Sequence, residues 1–285
     1  MKKIVISFSG GRTSAYMTLF LLSSNKYKDY QKIIVFANTG KEREETLSFV
    51  NEFEKYIGMC IFWLEADVQP NKGEGTKHKL VDYKTASRNG EPFEDVIKKY
   101  TIPNQQFIHC TRELKISPIR SFLRSIGLKK GDYLEAIGIR ADEQHRINWD
   151  RAKKDNLIYP LVTDIRVNSQ FIRDYWDNMP FDLGLKDYEG NCDMCYKKSK
   201  RKLLTLISEN PNAIDWWIEM ETKYGNDEHV FYRGNTSGLD LVELSKQPFQ
   251  KAVDLHELLK QAPTLFDTRF DYDLDSQSNC MCGEF

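Results

Sequence analysis

The sequence lacks three features that would place it in a specialised class: a long apolar run, a strong net charge and a dense set of cysteines. No hydrophobic stretch approaches the about 20 residues of a membrane span. The Met-Lys-Lys start leads directly into a strand-like run and not into the apolar segment of a secretion signal. We therefore expect a cytoplasmic protein that has no membrane partner.

Charge and composition narrow the class further. The formal net charge is −1, which gives no general nucleic-acid footprint, although a local basic patch and a nucleic acid as an acceptor stay open. With 285 residues, 40% of them hydrophobic, the chain can bury a sizeable core without disulfides. We expect one large α/β domain with a smaller appendage.

The cysteines are few and unevenly spaced. They are Cys60, Cys110, Cys192, Cys195, Cys280 and Cys282. In a cytosolic chain, the Cys192-x-x-Cys195 spacing indicates metal or redox chemistry more than a structural disulfide. Cys60 lies in an apolar run, residues 59–64, where we expect a buried thiol that packs as a small hydrophobe.

The first predicted strand, residues 3–8, ends at a glycine turn that lacks both common phosphate fingerprints. This turn, residues 9–14, reads SGGRTS and has neither the lysine of a GxxxxGK[ST] loop nor the third glycine of GxGxxG. A helix-like segment follows, so backbone N–H groups and the positive end of a helix dipole meet at the turn. The pattern alone favours a phosphate site and an ordinary βα turn about equally.

The turn resembles the SGGxxS pyrophosphate loop of the adenine nucleotide alpha-hydrolase superfamily. The resemblance implies a Rossmann-like α/β fold, a doubly wound and mainly parallel sheet, with ligands beyond the carboxyl ends of the strands. The implied ligand is ATP or a PAPS-like adenine nucleotide, where PAPS is phosphoadenosine phosphosulfate. The implied nucleotide contacts in this stretch are Ser7, Ser9, Gly10, Gly11, Arg12, Thr13 and Ser14.

Three later segments resemble the PAPS reductase branch of that superfamily. They are FANTG at residues 36–40, CTRELKISPI at 110–119 and GIRADEQHR at 138–146. The resemblance adds Ala37, Asn38, Thr39, Gly40, Gly138, Arg140 and Arg146 to the nucleotide site, with Asn38 standing where the branch has an acidic residue. Asp142 and Glu143 are candidate Mg²⁺ ligands. Without the resemblance, ordinary loops, a structural cysteine and a solvated charge cluster account for these segments as well.

The Gly-Asn-Cys-x-x-Cys segment predicts a metal site. Two cysteines on a glycine-led turn converge on one ion, as in zinc knuckles and iron–sulfur sites. Cys110 and one of Cys280 or Cys282 would complete four thiolates around a [4Fe–4S] cluster or zinc. Resemblance to cluster-bearing relatives favours iron–sulfur, and a redox dithiol is the third alternative. The basic run that follows, residues 197–202, is typical of a solvated helix face.

The tail offers a candidate nucleophile. Cys282-Gly283 matches part of the Glu-Cys-Gly-x-His context of PAPS reductases, with Met281 and Phe285 where Glu and His are expected. Cys110, whose basic neighbours favour a thiolate, is the second candidate catalytic cysteine. We predict a nucleotide-binding domain over residues 1–180 with an insertion at about 67–106, and a helical cysteine-containing region over residues 181–285.

The leading functional prediction is an enzyme that binds an adenine nucleotide and performs sulfur or redox chemistry at the cysteines. A sulfur-donor or electron-donor protein is the expected partner. One alternative is a sulfonucleotide reductase that uses Cys282 and has no cluster. The other is a non-catalytic nucleotide-binding or metal-stabilised interaction protein. Thr13 stands where ATP pyrophosphatases commonly have Asp, which counts against simple ATP chemistry.

Overall fold

A computed structural model describes residues 1–71, 73–226 and 229–261 of the chain. Its strands are β1 (Lys3–Phe8), β2 (Gln31–Asn38), β3 (Ile61–Asp67), β4 (Lys77–Val81), β5 (Leu134–Ile137) and β6 (Leu157–Ile158). They form one sheet in the spatial order β4-β3-β2-β1-β5-β6. Neighbouring strands are parallel except for β3 and β4, which are antiparallel. This mostly parallel sheet confirms the predicted doubly wound α/β fold.

Helices flank the sheet on both faces and continue beyond it. Those of the first part are α1 (Arg12–Ser23), α2 (Glu44–Ile57), α3 (Glu91–Tyr100), α4 (Ser117–Ser125), α5 (Trp149–Asp155) and α6 (Pro160–Thr163). Those that follow are α7 (Ser169–Asp177), α8 (Lys200–Glu209), α9 (Asp215–Tyr224), α10 (Gly238–Ser245) and α11 (Leu255–Gln261). A π-helical turn (Arg112–Ile116) leads into α4. No helix of the described residues is long and apolar enough to span a bilayer.

The central strands are buried on both faces because successive residues point to opposite sides of a strand. On one face, Ile4 and Ile6 of β1 and Phe36 of β2 pack with α1, α2 and α7. On the other face, Val5 packs with Phe122 of α4. The two-sided core explains why these strands appear in the sequence as continuous apolar runs.

A second core lies outside the sheet, among α3, α8, α9 and α10. Its centre is Trp217, which is fully buried and meets Phe93 of α3 with ring centroids 5.5 Å apart. Cys192 packs into the same cluster. Helix α3 belongs to the predicted insertion at residues 67–106, whereas the other helices follow residue 180. The insertion therefore packs with the C-terminal region, and the proposed domain boundary stays a prediction.

The segment predicted as a polar excursion contributes strand β4 to the sheet. The sequence of β4, KHKLV, carries little hydrophobic signal because the strand lies at the sheet edge and exposes most of its side chains. Residues 158–162 contain the end of β6 and most of α6. Asn168 caps α7, since its side chain accepts a hydrogen bond from the Phe171 amide.

The predictions for Cys60 and for the tail cysteines have different outcomes. Cys60 was expected to be buried but is exposed, because it precedes the first paired residue of β3 and does not share the burial of that strand. Cys280 and Cys282 lie outside the described residues.

Candidate functional site

The turn between β1 and α1 is called here the phosphate loop (residues 9–14). Ser14 Oγ donates to the Gly11 carbonyl at 2.9 Å and lies 3.0 Å from Ser9 Oγ. These hydroxyls hold the turn together. Gly10 has φ +78°, and a Cβ there would lie 2.7 Å from Thr46 Cγ2 of α2. The turn therefore needs glycine for its backbone conformation and for its close packing.

The N-terminus of α1 lies at this loop. The first N–H groups of any α-helix have no carbonyl partner within the helix. Gly11 occupies the N-cap position, and within the described chain no side chain caps α1. The first turn of α1 therefore directs backbone donors and a partial positive charge toward the loop, which is an arrangement that binds anions.

The end of β5 closes one side of the loop. A Cβ at Gly138 would lie 3.2 Å from the Ser14 Cα, so glycine lets the two backbones approach each other. Just beyond, Arg140 Nη1 donates to Thr13 Oγ1 at 3.3 Å. The Arg140 side chain is mostly buried and also pairs with Asp142 at 3.1 Å. The predicted residues Gly138 and Arg140 thus meet the phosphate loop directly.

Arg146 and the two acidic residues beside it form an ion-pair network. Arg146 Nη1 lies 2.7 Å from Glu143 Oε1, and Arg140 lies 3.4 Å from the other Glu143 oxygen. Asp142 and Glu143 are therefore engaged with arginines, and this geometry gives no support to their predicted role as Mg²⁺ ligands.

The Arg12 side chain points away from the loop opening. Its guanidinium forms a two-point contact with Asp182, with Nε–Oδ1 at 2.7 Å, and donates to the Leu185 carbonyl at 3.0 Å. Burial acts to raise the pKa of Asp182, but the Arg12 contact outweighs it and the pKa is lowered. Trp176 Nε1 donates to the Arg12 carbonyl at 3.0 Å. Any contact of Arg12 with a nucleotide at this loop would therefore come from its backbone N–H.

The turn after β2 is held from inside by Asn38. Its buried side-chain amide donates to Glu65 Oε1 at 2.7 Å and to the Ser87 carbonyl at 2.8 Å, while its oxygen accepts from the Gly40 amide at 3.1 Å. Thr39 Oγ1 donates to Glu42 at 3.1 Å. An aspartate at position 38 would face the Glu65 carboxylate. This contact explains the asparagine where the resembling branch has an acidic residue.

A cavity of about 880 Å³, counted with the space at its open mouth, lies beside the phosphate loop. Ser9, Ala37 and Thr111 line the end nearest the loop. Lys115 also lines it and forms an ion pair with Glu42 at 3.2 Å. Of the residues predicted at the ends of β1 and β2, Ser7, Ser9 and Ala37 therefore border one common space.

The segment that carries the paired cysteines, called here the cysteine loop (residues 190–195), contacts the phosphate loop. Asn191 Nδ2 donates to the Ser9 carbonyl at 2.6 Å, and the Arg43 amide donates to the Asn191 carbonyl at 2.7 Å. The backbones of Cys192 and Glu42 pair in an isolated antiparallel β-bridge. Asn191 was not among the predicted site residues, although it lies within the Gly-Asn-Cys motif that drew attention to this segment.

The cysteines meet in the second core. The pKa of the Cys192 thiol is raised mainly by its side-chain contact with Cys195, and burial raises it as well. Cys110, from the other part of the chain, packs on the same cluster, with its Sγ 3.3 Å from the Tyr196 hydroxyl. The structure therefore brings Cys110, Cys192 and Cys195 into one region.

Residues 3–159 match the family model of the phosphoadenosine phosphosulfate reductase domain. The chain belongs to this family. The PAPS reductase family is part of the adenine nucleotide alpha-hydrolase superfamily, which confirms the resemblance drawn from the glycine turn. The match covers the phosphate loop, the β2 turn, Cys110 and Arg140, and ends before the cysteine loop.

Three relatives extend the similarity beyond that domain. An uncharacterized nin region protein of Escherichia phage lambda, ORF290, is 34% identical over an alignment of 243 residues that covers 82% of this chain and 81% of that protein. The uncharacterized proteins MJ0066 and MJ0973 of Methanocaldococcus jannaschii are 29% and 24% identical, each over 80% of this chain. The chain spans 43% and 50% of the lengths of these two archaeal proteins.

The cysteines described in this PAPS reductase family member form part of a metal site at most. Within residues 1–71, 73–226 and 229–261, no group of three or more His, Cys, Asp or Glu side chains is arranged to hold a metal ion. Cys192 and Cys195 contact each other, but the predicted fourth ligand, Cys280 or Cys282, lies outside these ranges. The described residues alone do not supply the four thiolates of such a cluster.

A buried lysine, Lys198, donates hydrogen bonds to the backbone of the cysteine loop. Lys198 is only 4% exposed, and its Nζ donates to the carbonyls of Cys192 at 2.6 Å and Asp193 at 2.9 Å. The basic run at residues 197–202 was expected to form a solvated face, and Lys198 departs from that expectation. Its ammonium group satisfies two carbonyls that would otherwise be buried without donors.

Proposed function

We propose that the chain is an enzyme that binds ATP or a PAPS-like adenine nucleotide and acts on its phosphate or sulfate group beside the cysteine loop. The supporting observation is the 2.6 Å hydrogen bond from Asn191 to the Ser9 carbonyl. It joins the anion-binding end of the sheet to the segment of the paired thiols. A nucleotide whose phosphates lie on the phosphate loop would present its reacting group near that segment.

The residues of the site have separate roles in this proposal. The free N–H groups at the start of α1 would hold phosphate oxygens, and Arg140 would add a charged donor next to Thr13. Preorganised donors of this kind lower the barrier when negative charge develops, and loss of one typically costs about 2.7–4 kcal/mol. Ala37, Thr39 and Gly40 would border the nucleotide from the β2 side, while Asn38 would shape that turn.

A second part of the proposal concerns sulfur chemistry at the cysteines. Cys192, Cys195 and Cys110 would take part in an iron–sulfur site if one of the tail cysteines completes it, with zinc or a redox dithiol as the alternatives. We also propose that a donor protein supplies sulfur or electrons and that a nucleic acid is the acceptor. The proposed location is the cytoplasm. Cys282 and Cys110 remain the candidate catalytic thiols.

Nucleotide binding is tested by calorimetry with ATP and with PAPS on the whole chain. Ser14→Ala removes the hydroxyl that holds the turn, and Arg140→Ala removes the cation beside Thr13. We expect Arg140→Ala to weaken binding about ten- to a hundredfold, the usual effect of losing a hydrogen bond to a charged group. Ser14→Ala should weaken it less, by about two- to tenfold, because the hydrogen bond that it removes joins neutral groups within the turn. Arg124→Ala, on the exposed surface of α4, is the matched control. Unchanged affinity in both site variants would contradict the proposed pocket.

Two product assays separate the reaction classes. Release of pyrophosphate from ATP would indicate adenylation of an acceptor, whereas release of sulfite from PAPS in the presence of a dithiol would indicate reduction. Tight nucleotide binding with neither product would support a non-catalytic role.

The metal is tested by measuring iron, acid-labile sulfide and zinc in anaerobically purified protein. Iron and sulfide that are lost in Cys192→Ser, and kept in Cys60→Ser, would support the cluster. Cys60 is the matched control because it is exposed and lies at the start of β3, outside the second core. Iron-free protein would leave zinc or free thiols as the alternatives.

A further inference from the structure

Glu65, near the end of β3, is a buried carboxyl group to which the proposed function gives no role. Its residue is 1% exposed and lies opposite Asn38 in the pairing of β2 with β3. Burying a carboxyl group this deeply is costly unless hydrogen-bond donors surround it. Because Asn38 begins the β2 turn (residues 38–40), Glu65 is placed to act on that turn from the neighbouring strand.

Three donors converge on the Glu65 side chain. The Asn38 side-chain amide donates to Oε1 at 2.7 Å, and the Ser87 backbone N–H donates to the same oxygen at 2.6 Å. The Ser87 hydroxyl donates to Oε2 at 2.9 Å. Asn38 also donates to the Ser87 carbonyl at 2.8 Å, across 49 positions of the chain. Glu65 therefore joins the β2 turn to the segment that precedes α3.

The segment before α3 lies directly against the β2 turn. A Cβ at Gly40 would lie 2.8 Å from Pro92 Cδ and 3.2 Å from the Gly90 Cα. Gly90 is in turn covered by Trp216 of α9, because a Cβ there would lie 2.5 Å from the indole. The location of the β2 turn therefore depends on how this segment is held, and Glu65 is the side chain that bonds to both.

We propose that Glu65 is a positioning residue for the nucleotide site. It sets the location of the β2 turn through its bonds to Asn38 and Ser87. Thr39 and Gly40 of that turn would border the nucleotide. The inference rests on the proposed nucleotide-binding function and goes beyond it, because it assigns a role in binding to a side chain that acts through two others.

A second carboxyl group on the same strand gives a matched comparison. Glu54 of α2 accepts hydrogen bonds from the Ile61 amide at 2.8 Å and from Trp63 Nε1 at 3.1 Å. These bonds support the first half of β3, whereas Glu65 lies beside the β2 turn. Loss of either carboxyl group should lower the free energy of unfolding. Only loss of Glu65 should change nucleotide binding, which separates a positioning role from a purely structural one.

The first test measures affinity for ATP and for PAPS by calorimetry, and stability by urea denaturation, on the full chain. We expect Glu65→Ala to weaken nucleotide binding by about two- to thirtyfold, the range for residues that act on a site through other residues. Ser87→Ala should weaken it less, because the backbone N–H of residue 87 still donates to Glu65. Glu54→Ala should keep the wild-type affinity although it lowers stability.

A second test exchanges the partners of the Asn38–Glu65 hydrogen bond. Asn38→Asp removes the amide donor and places two carboxyl groups together, so it should displace the turn and weaken binding. Adding Glu65→Gln supplies an amide that donates in the opposite direction. We expect the double variant to bind ATP about three- to tenfold more tightly than Asn38→Asp alone, the effect of regaining one hydrogen bond.

The outcomes separate this inference from the proposed function. Wild-type affinity in folded Glu65→Ala, or an equal loss of affinity in Glu54→Ala, would overturn the positioning role while nucleotide binding stands. If Glu65→Ala does not fold, equal affinities of Asn38→Asp and the double variant would have the same meaning. Failure of the wild type to bind either ATP or PAPS would instead overturn the proposed function, and the inference with it.

Discussion

The phosphate loop and the cysteine loop lie side by side, yet the chain builds them in opposite ways. The phosphate loop presents backbone N–H groups, while the hydroxyls of Ser9 and Ser14 bond within the turn. The cysteine loop is set into an apolar core, where Cys195 and burial raise the pKa of Cys192. The first region is ready for an anion, whereas the second favours a neutral thiol.

Each loop is nevertheless anchored in the same manner, by the indole of a buried tryptophan. Trp176 in the sheet core donates to the Arg12 carbonyl at 3.0 Å, and Trp217 in the second core donates to Asp193 Oδ1 at 2.9 Å. The difference between the regions therefore lies in the loops and not in their support. Each hydrophobic core positions one part of the site.

The largest expected effects come from removing these anchors. Trp176→Ala and Trp217→Ala should each lower the free energy of unfolding by about 3–5 kcal/mol, the usual loss for a buried tryptophan. Urea denaturation followed by circular dichroism measures both. Trp176→Ala should also weaken nucleotide binding more than Trp217→Ala does, because its indole contacts the phosphate loop. Equal losses of affinity would argue against separate support of the two loops.

The link between the loops is tested by Asn191→Ala. This variant leaves the Ser9 carbonyl without its side-chain donor, so we expect a loss of about 1–3 kcal/mol in stability and weaker nucleotide binding. Thermal unfolding and calorimetry measure the two effects. Asn212→Ala, at an exposed position, is the matched control. If Asn191→Ala behaves like that control, the two loops act independently.

The β2 turn can be tested by restoring the acidic residue of the resembling branch. Asn38→Asp would place a carboxylate against Glu65, and we expect a loss of about 1–3 kcal/mol at neutral pH from the lost donor and the like charge. Stability should recover in part as the pH falls, since protonation removes one of the two charges. Unfolding curves between pH 7 and about pH 5 measure this, with Asn212→Asp as the control. A fully stable variant would show that the turn tolerates either residue.

The smallest expected effect concerns the contact between Arg12 and Asp182. Burial opposes the shift, yet the Arg12 hydrogen bond lowers the pKa of Asp182. The pair therefore stabilises the fold above the ordinary aspartate pKa, and this contribution is lost as the pH falls through the lowered value. Asp182 is 38% exposed, so we expect Asp182→Asn to cost only about 0.2–1 kcal/mol at pH 7. The difference from the wild type should begin to shrink as the pH falls below about 4 and should disappear below the lowered pKa of Asp182, as urea denaturation would measure.

By itself, the sequence determined the features whose signals are local. The apolar run over β1, the glycine turn and the helix-like segment after it predicted a strand, a loop and a helix, and the structure confirms all three. Gly10 has the positive φ that such a turn requires. The doubly wound fold class was implied by the resemblance of the glycine turn to the adenine nucleotide alpha-hydrolase superfamily, and the mostly parallel sheet confirms it.

Only the tertiary structure decided which side chains meet. Asn191 bonds to a residue 182 positions away, and Ser7 bonds to Glu135 across 128 positions. Lys198 lies in a run that is typical of a solvated helix face, yet it is buried under Cys192, and Cys60 is exposed despite its apolar neighbours. Hydrogen bonds between distant polar residues leave no periodic trace in a sequence. They exist only because the strand order and the second core bring those residues together.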